Sequence, residues 1–220
     1  MSTENSGELV PVLLHHIYVE ELRTHAVALI SMGYQQLNAT AFSTAEEDVI
    51  TGELVRAMKI VVQNPDSPQW VDHYHVCEQV PQNVDDKCGK RRPKIDIEIE
   101  RCGRGQRPRL SFEAKRLGGG CKFNLGNYLG EKGLDAFLTG YYPTTHGEAG
   151  MLGYIQENTP EYWTSQICTE LTKNPSKYQT PMNREWQIID SISASHFCYT
   201  HTLIDNEHLL VLHILLPFKI

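Results

Sequence analysis

No stretch of this chain approaches the ~20 consecutive apolar residues that a membrane-crossing helix needs, and its opening segment, Met1 to Glu8, has neither a basic start nor an apolar run. A cytoplasmic protein with no membrane partner is therefore expected. The six cysteines form no Cys-x-x-Cys pair and no metal-ligand spacing, which speaks against structural zinc and, in a reducing compartment, for free thiols. No Gly-x-Ser-x-Gly elbow surrounds a serine, and Gly118-Gly119-Gly120 leads into no Gly-Lys-Ser/Thr. Neither an acyl-transfer nucleophile nor an NTP-binding loop is indicated. Internal repeats, low-complexity tracts and long linkers are also missing, so residues 1–220 read as a single domain.

Positive charge is scarce overall: 20 Lys and Arg stand against 27 Asp and Glu, a formal net charge of -7. By itself that balance disfavours a polyanionic partner. Its distribution reverses the inference, because Lys87 to Lys122 holds 12 Lys and Arg against four acids, a local +8 that leaves -15 on the rest. With 40% hydrophobic and 21% charged residues, the chain otherwise has the composition of a globular domain with a sizeable core.

Apolar residues recur at helical spacing from Val10 to Gln36, and again after a Ser43-Thr44 cap, where Val49, Ile50, Leu54, Ala57, Met58 and Val61 form one stripe. Ser43-x-x-Glu46 and Thr44-x-x-Glu47 both match a capping box. This N-terminal helical part covers about 10–63. Strands are expected at Trp70 to Val80, Lys94 to Arg101 and Arg109 to Lys115, the last two joined by a turn-forming run into an antiparallel hairpin. Helical spacing returns from Leu125 to Tyr141, followed by a strand over Ala149 to Gln156. A C-terminal part, 157–220, offers a helix over Glu161 to Leu171 and strands at Trp186 to Ile192, Phe197 to Ile204 and His208 to Leu216. The last is almost continuously apolar, which predicts burial on both faces. The fold class expected is α/β, a mixed central sheet flanked by helices.

The basic window contains the chemistry. Lys94 to Glu100 alternates Ile95, Ile97 and Ile99 with Asp96, Glu98 and Glu100, and Arg109 to Lys115 alternates Leu110, Phe112 and Ala114 with Ser111, Glu113 and Lys115. Adjacent strands with these patterns turn Asp96 and Glu113 to one side, close enough to share a ligand. Crowded carboxylates repel, and a divalent cation relieves the repulsion. Oxygen ligands select Mg²⁺, with Mn²⁺ as a substitute, and such an ion activates water against a phosphodiester. Lys115 projects to the same side and is placed to orient that water. Lys90, Arg91, Arg92, Lys94, Arg116 and Lys122 are the candidates for holding nucleic acid.

Arg92-Pro93-Lys94-Ile95-Asp96, followed by Glu113-Ala114-Lys115-Arg116-Leu117 at the end of the next strand, resembles the core of the PD-(D/E)XK nucleases, the restriction-endonuclease-like fold. The resemblance covers roughly Ser43 to Gln156, and Tyr128 to Tyr154 is similar to the second half of nuclease domains from bacterial anti-phage defence systems. It implies a nuclease core over about 43–156, Mg²⁺-dependent cleavage of DNA, Asp96 and Glu113 as metal ligands with the Ala114 carbonyl, and Lys115 as the catalytic lysine. Members commonly add an acid from a preceding helix. Glu53 lies inside the apolar stripe and is the candidate, as ligand and catalytic residue; Glu46 is assigned to capping, Glu47 and Asp48 to the stripe's edge or beyond it, and Glu78 and Gln156 are further candidates. Tyr141 and Tyr142 could stack on bases.

Two alternatives remain open: a subunit of the same fold that binds nucleic acid or protein without cutting, and an RNA-cleaving relative. A chain with no separate specificity domain is also expected to depend on a partner protein or a homo-oligomer for targeting. His73 and His75 could share a strand face, but no zinc pattern continues from them.

Overall fold

A computed structural model describes residues 9–84, 89–103, 107–118, 124–180, 187–190, 195–202 and 208–219; side chains are not described for 9–16 and 187–190, nor within 195–202 apart from His196 and His201. The described elements in chain order are α1 (Leu9–Gln35), α2 (Glu47–Gln63), β1 (Tyr74–Pro81), β2 (Lys94–Arg101), β3 (Arg109–Leu117), α3 (Leu125–Leu129), α4 (Leu134–Leu138), β4 (Glu148–Ile155), α5 (Pro160–Lys173), β5 (Gln187–Asp190), β6 (Ser195–Thr202) and β7 (His208–Pro217). Short 3-10 turns at Ala39–Phe42, Gln69–His73 and Gly89–Arg91 join some of them.

The strands form one mixed sheet in the order β1-β2-β3-β4-β7-β6-β5. β1, β2 and β3 are antiparallel neighbours, β3-β4 and β4-β7 are parallel, and β7-β6-β5 are antiparallel. Alternation then decides which residues meet which helices. Ile97, Phe112, Ala114, Leu152, Tyr154 and Ile214 face α1 and α2 in one buried cluster. Leu117, Met151, Ile155, Val211 and Leu215 face α3, α4 and α5 in the other. β7 is buried at nearly every position from Leu209 to Leu216, as its apolar run predicts. The fold is α/β, with a mixed sheet flanked by helices.

Three expectations are corrected. α2 begins at Glu47 with Glu46 as an extended N-cap residue that makes no side-chain cap bond, so neither capping box forms. The reason is that the segment before it is tied to the sheet: Gln156 Nε2 donates to the carbonyls of Phe42 (3.0 Å) and Ala45 (2.9 Å), and Arg116 Nη1 donates to Ala45 O (3.0 Å). The helical spacing from Leu125 to Tyr141 is two short helices, because Gly133 brings its backbone against the carbonyls of Tyr128 and Asn127 where a Cβ would collide. His73 belongs to a 3-10 turn and shares no strand with His75.

Candidate functional site

Because β3, β4 and β7 are parallel and β2 runs against them, the C-terminal ends of β3, β4 and β7 and the start of β2 lie at one end of the sheet. Ligand sites in α/β folds form at such ends. The β2-β3 ladder runs only from Glu100↔Arg109 to Ile97↔Phe112, although β2 reaches back to Lys94 and β3 on to Leu117. Beyond Ile97 the hairpin is open. Asp96 fills the opening: its Oδ2 accepts the Ala114 N–H at 2.8 Å and its Oδ1 accepts Gln79 Nε2 at 3.0 Å.

Glu113 and Lys115, one alternation apart, flank this point. Lys115 Nζ donates to Glu113 Oε1 (2.7 Å), Ala114 O (2.6 Å) and Glu47 Oε1 (3.1 Å). Glu47 Oε2 in turn accepts the Arg116 N–H at 3.2 Å. One ammonium thus gathers oxygens from the first turn of α2 and from β3. Burial raises the Glu113 pKa to about 8, Lys115 pulling it down and Asp96 adding to the rise. Asp96 and Glu47 are also raised by burial, with Lys115 as the largest opposing influence on each. Burial works against the Lys115 charge, but Glu113, Glu47 and Asp96 outweigh it and hold its pKa above the usual lysine value.

The structure brings together Asp96, Glu113, the Ala114 carbonyl and Lys115, but not Glu53, whose carboxylate pairs with Arg56 three residues on (Arg56 Nε to Oε2, 2.9 Å). The acid that α2 contributes is Glu47. Six residues separate the two, about 240° around the helix, so they occupy different faces. In the sequence Glu47 falls at the edge of the apolar stripe or beyond it while Glu53 falls inside, so the stripe points to the other acid. Glu78 is exposed on β1 with its carboxylate near Gly52, and Gln156 anchors the loop before α2 as described. Tyr142 does not present its ring to solvent for stacking: it is buried against Phe137, with Glu113 beside its hydroxyl, and burial followed by that charge raises its pKa well above the phenol value. Tyr141 is exposed.

A cleft of about 600 Å³ opens beside Glu47, Lys115 and Arg116, with Gly126, Asn127, Gly130, Glu131 and Lys132 on its far wall. Among the described residues the basic window does not make one face. Lys90, Arg91 and Lys94 are exposed at the site end, while Arg92 braces the turn through Asn83 Oδ1 (2.9 Å). At the other end of the hairpin Arg101, Arg107 and Arg109 pair with Glu21, Glu100 and Glu98. Arg116 is buried and its guanidinium holds Glu46 and Ala45 O, which removes it from the candidates for a phosphate contact. Lys122 lies outside the described residues.

The donor set suits a hard divalent cation. Two carboxylates and a carbonyl supply only oxygen, and buried Glu113 Oε2, with the Tyr142 hydroxyl nearby, is not taken up by Lys115, whose bond goes to Oε1. No group of three His, Cys, Asp or Glu side chains is arranged to hold a metal among the described residues, so such an ion would rely on the Ala114 carbonyl and on water beyond Asp96 and Glu113. No described helix is long and apolar enough to cross a membrane. Comparison with protein-family models, curated proteins and solved structures finds no match.

Proposed function

We propose that this chain is a Mg²⁺-dependent endonuclease of restriction-endonuclease-like fold that hydrolyses DNA phosphodiester bonds, with Mn²⁺ able to replace Mg²⁺. One observation carries the reading: Asp96, Glu113 and Lys115 converge at the opened end of the β2-β3 hairpin, next to a cleft. Asp96, Glu113 and the Ala114 carbonyl would hold the cation, which when bound supplies a Lewis acid for the phosphoryl oxygen and a more acidic water. Lys115, held by Glu47 and Glu113, stands where it can orient the attacking water or steady charge on the phosphate. Lys90, Arg91 and Lys94 offer unburied cations on the same end for the polyanion. A role as a defence effector rests on the resemblance alone.

Purified protein is incubated with supercoiled DNA and with RNA, each with Mg²⁺ or EDTA. Mg²⁺-dependent nicking that disappears in Asp96→Asn and in Glu113→Gln supports the reading. DNA left intact and RNA cut transfers it to an RNA-cleaving enzyme. A second reading, a non-cutting subunit that grips nucleic acid or protein, is favoured by the three bonds through which Lys115 Nζ already occupies the oxygens. Calorimetric titration with Mn²⁺ separates the two: no heat of binding favours the subunit.

A further inference from the structure

No pattern in the sequence singles out Gln79, yet it has the least ordinary backbone near the site. β1 pairs with β2 continuously from Tyr74↔Arg101 to Glu78↔Ile97 and resumes at Val80↔Ile95. The position passed over is Gln79 opposite Asp96, and Gln79 has φ 51°. A left-handed residue with a side chain, inside a strand, is unfavourable and persists where its surroundings impose it. Here its effect is to carry the Gln79 amide to Asp96 Oδ1 at 3.0 Å, while the Ala114 N–H takes Oδ2 at 2.8 Å. The Asp96 carboxylate is thereby clamped between β1 and β3 by two neutral donors. Each oxygen keeps a further lone pair, and the plane of the carboxylate is fixed.

We infer that Gln79 is the positioning residue for Asp96: its left-handed backbone serves to aim a neutral amide at the ligand carboxylate, an inference that rests on the cation reading of the site. Outer donors of this kind orient ligands, and their loss typically costs about 10–100-fold in metal affinity. Neutral donors are the appropriate choice, since a cationic partner in place of the amide would compete with the metal for the carboxylate charge.

Two variants and two readouts test this. Gln79→Gly accommodates the positive φ and deletes the amide; Gln79→Met keeps the length of the side chain and deletes only its donor. Thermal unfolding and calorimetric Mn²⁺ titration are run on both and on wild type. The expected result is a melting temperature unchanged or raised by a few degrees in Gln79→Gly, together with Mn²⁺ affinity weakened at least about 10-fold in both variants. A purely structural role would instead lower the melting temperature of Gln79→Gly and leave affinity alone. If wild type binds Mn²⁺ and either variant binds it equally well, the assignment of Gln79 is overturned while the cation reading stands. If wild type binds no Mn²⁺, the cation reading is overturned and the assignment with it.

Discussion

Asp96 on β2 accepts the backbone N–H of Ala114 on β3 at 2.8 Å, so a side chain takes the place of a ladder bond that the parted strands no longer make. A carboxylate that substitutes for backbone is bound to β3 more tightly than one that merely points at it, and its removal leaves a buried N–H unpaired. Asp96→Ala should therefore lose both nicking and about 1–3 kcal/mol of stability. Asp96→Asn, whose amide oxygen can still accept, should lose nicking with a smaller drop in urea midpoint.

Glu113 behaves oppositely. Its pKa is raised to about 8 by burial from an unfolded value near 4.3, so the stability it contributes is present below that unfolded value and is lost as pH rises through about 8. Glu113→Gln should be more stable than wild type at pH 7.5, by roughly 5 °C in Tm, and the advantage should shrink toward pH 5. Melting curves of the two proteins across that range provide the check; an advantage that grew on acidification would contradict the assignment.

Glu47 and Glu53 separate the site from the rest of α2. Glu47→Gln weakens the hold on the Lys115 ammonium and should lower the nicking rate by about 10²-fold. Glu53→Gln loses only an exposed pair with Arg56 and should leave the rate unchanged.

Electrostatic binding should follow position along the hairpin. Lys90→Ala, Arg91→Ala and Lys94→Ala together should weaken DNA binding and lower the slope of log affinity against log salt by about 0.9 for each phosphate that is no longer neutralised. Arg107→Ala and Arg109→Ala, at the opposite end and paired with Glu100 and Glu98, should leave that slope where it was. Binding isotherms on one duplex at several salt concentrations measure both.

Two buried histidines set an acid limit. His213 bonds the Tyr128 hydroxyl and His201 the Tyr178 carbonyl; burial lowers their pKa values to about 3 and about 4. Folded values below the unfolded 6.5 mean stability that is present above pH 6.5 and is lost as pH falls toward those values. At pH 5 each contributes a loss on the order of 2 kcal/mol. Urea midpoints at pH 7.5 and pH 5 should differ accordingly, and His213→Gln should narrow the difference.

Much of this arrangement is legible in the amino-acid pattern. Period-two alternation locates β2 and β3, and the spacing of Asp96, Glu113 and Lys115 follows from it. What local pattern does not supply is contact between distant segments. The helical wheel favours Glu53, inside the apolar stripe, over Glu47 at its edge, and only the packing of α2 against the end of β3 reverses that order. Gln79 carries no sequence mark, since its importance comes from lying opposite Asp96. The charge window misleads for a related reason: seven residues of extended chain, ~23 Å, separate the ends of the hairpin, so proximity in sequence does not become one surface.

The departure of Gln79 from extended geometry has a consequence for the molecule's solubility. Among the described residues β1 is an outer strand of the sheet, and a regular outer strand presents a row of donors and acceptors to which a strand from another molecule could add. A left-handed residue at 79 and the proline at 81 interrupt that row and deny an incoming strand a continuous template. The bend that reaches toward Asp96 on one side thus blunts the edge on the other, protecting the sheet from edge-to-edge aggregation.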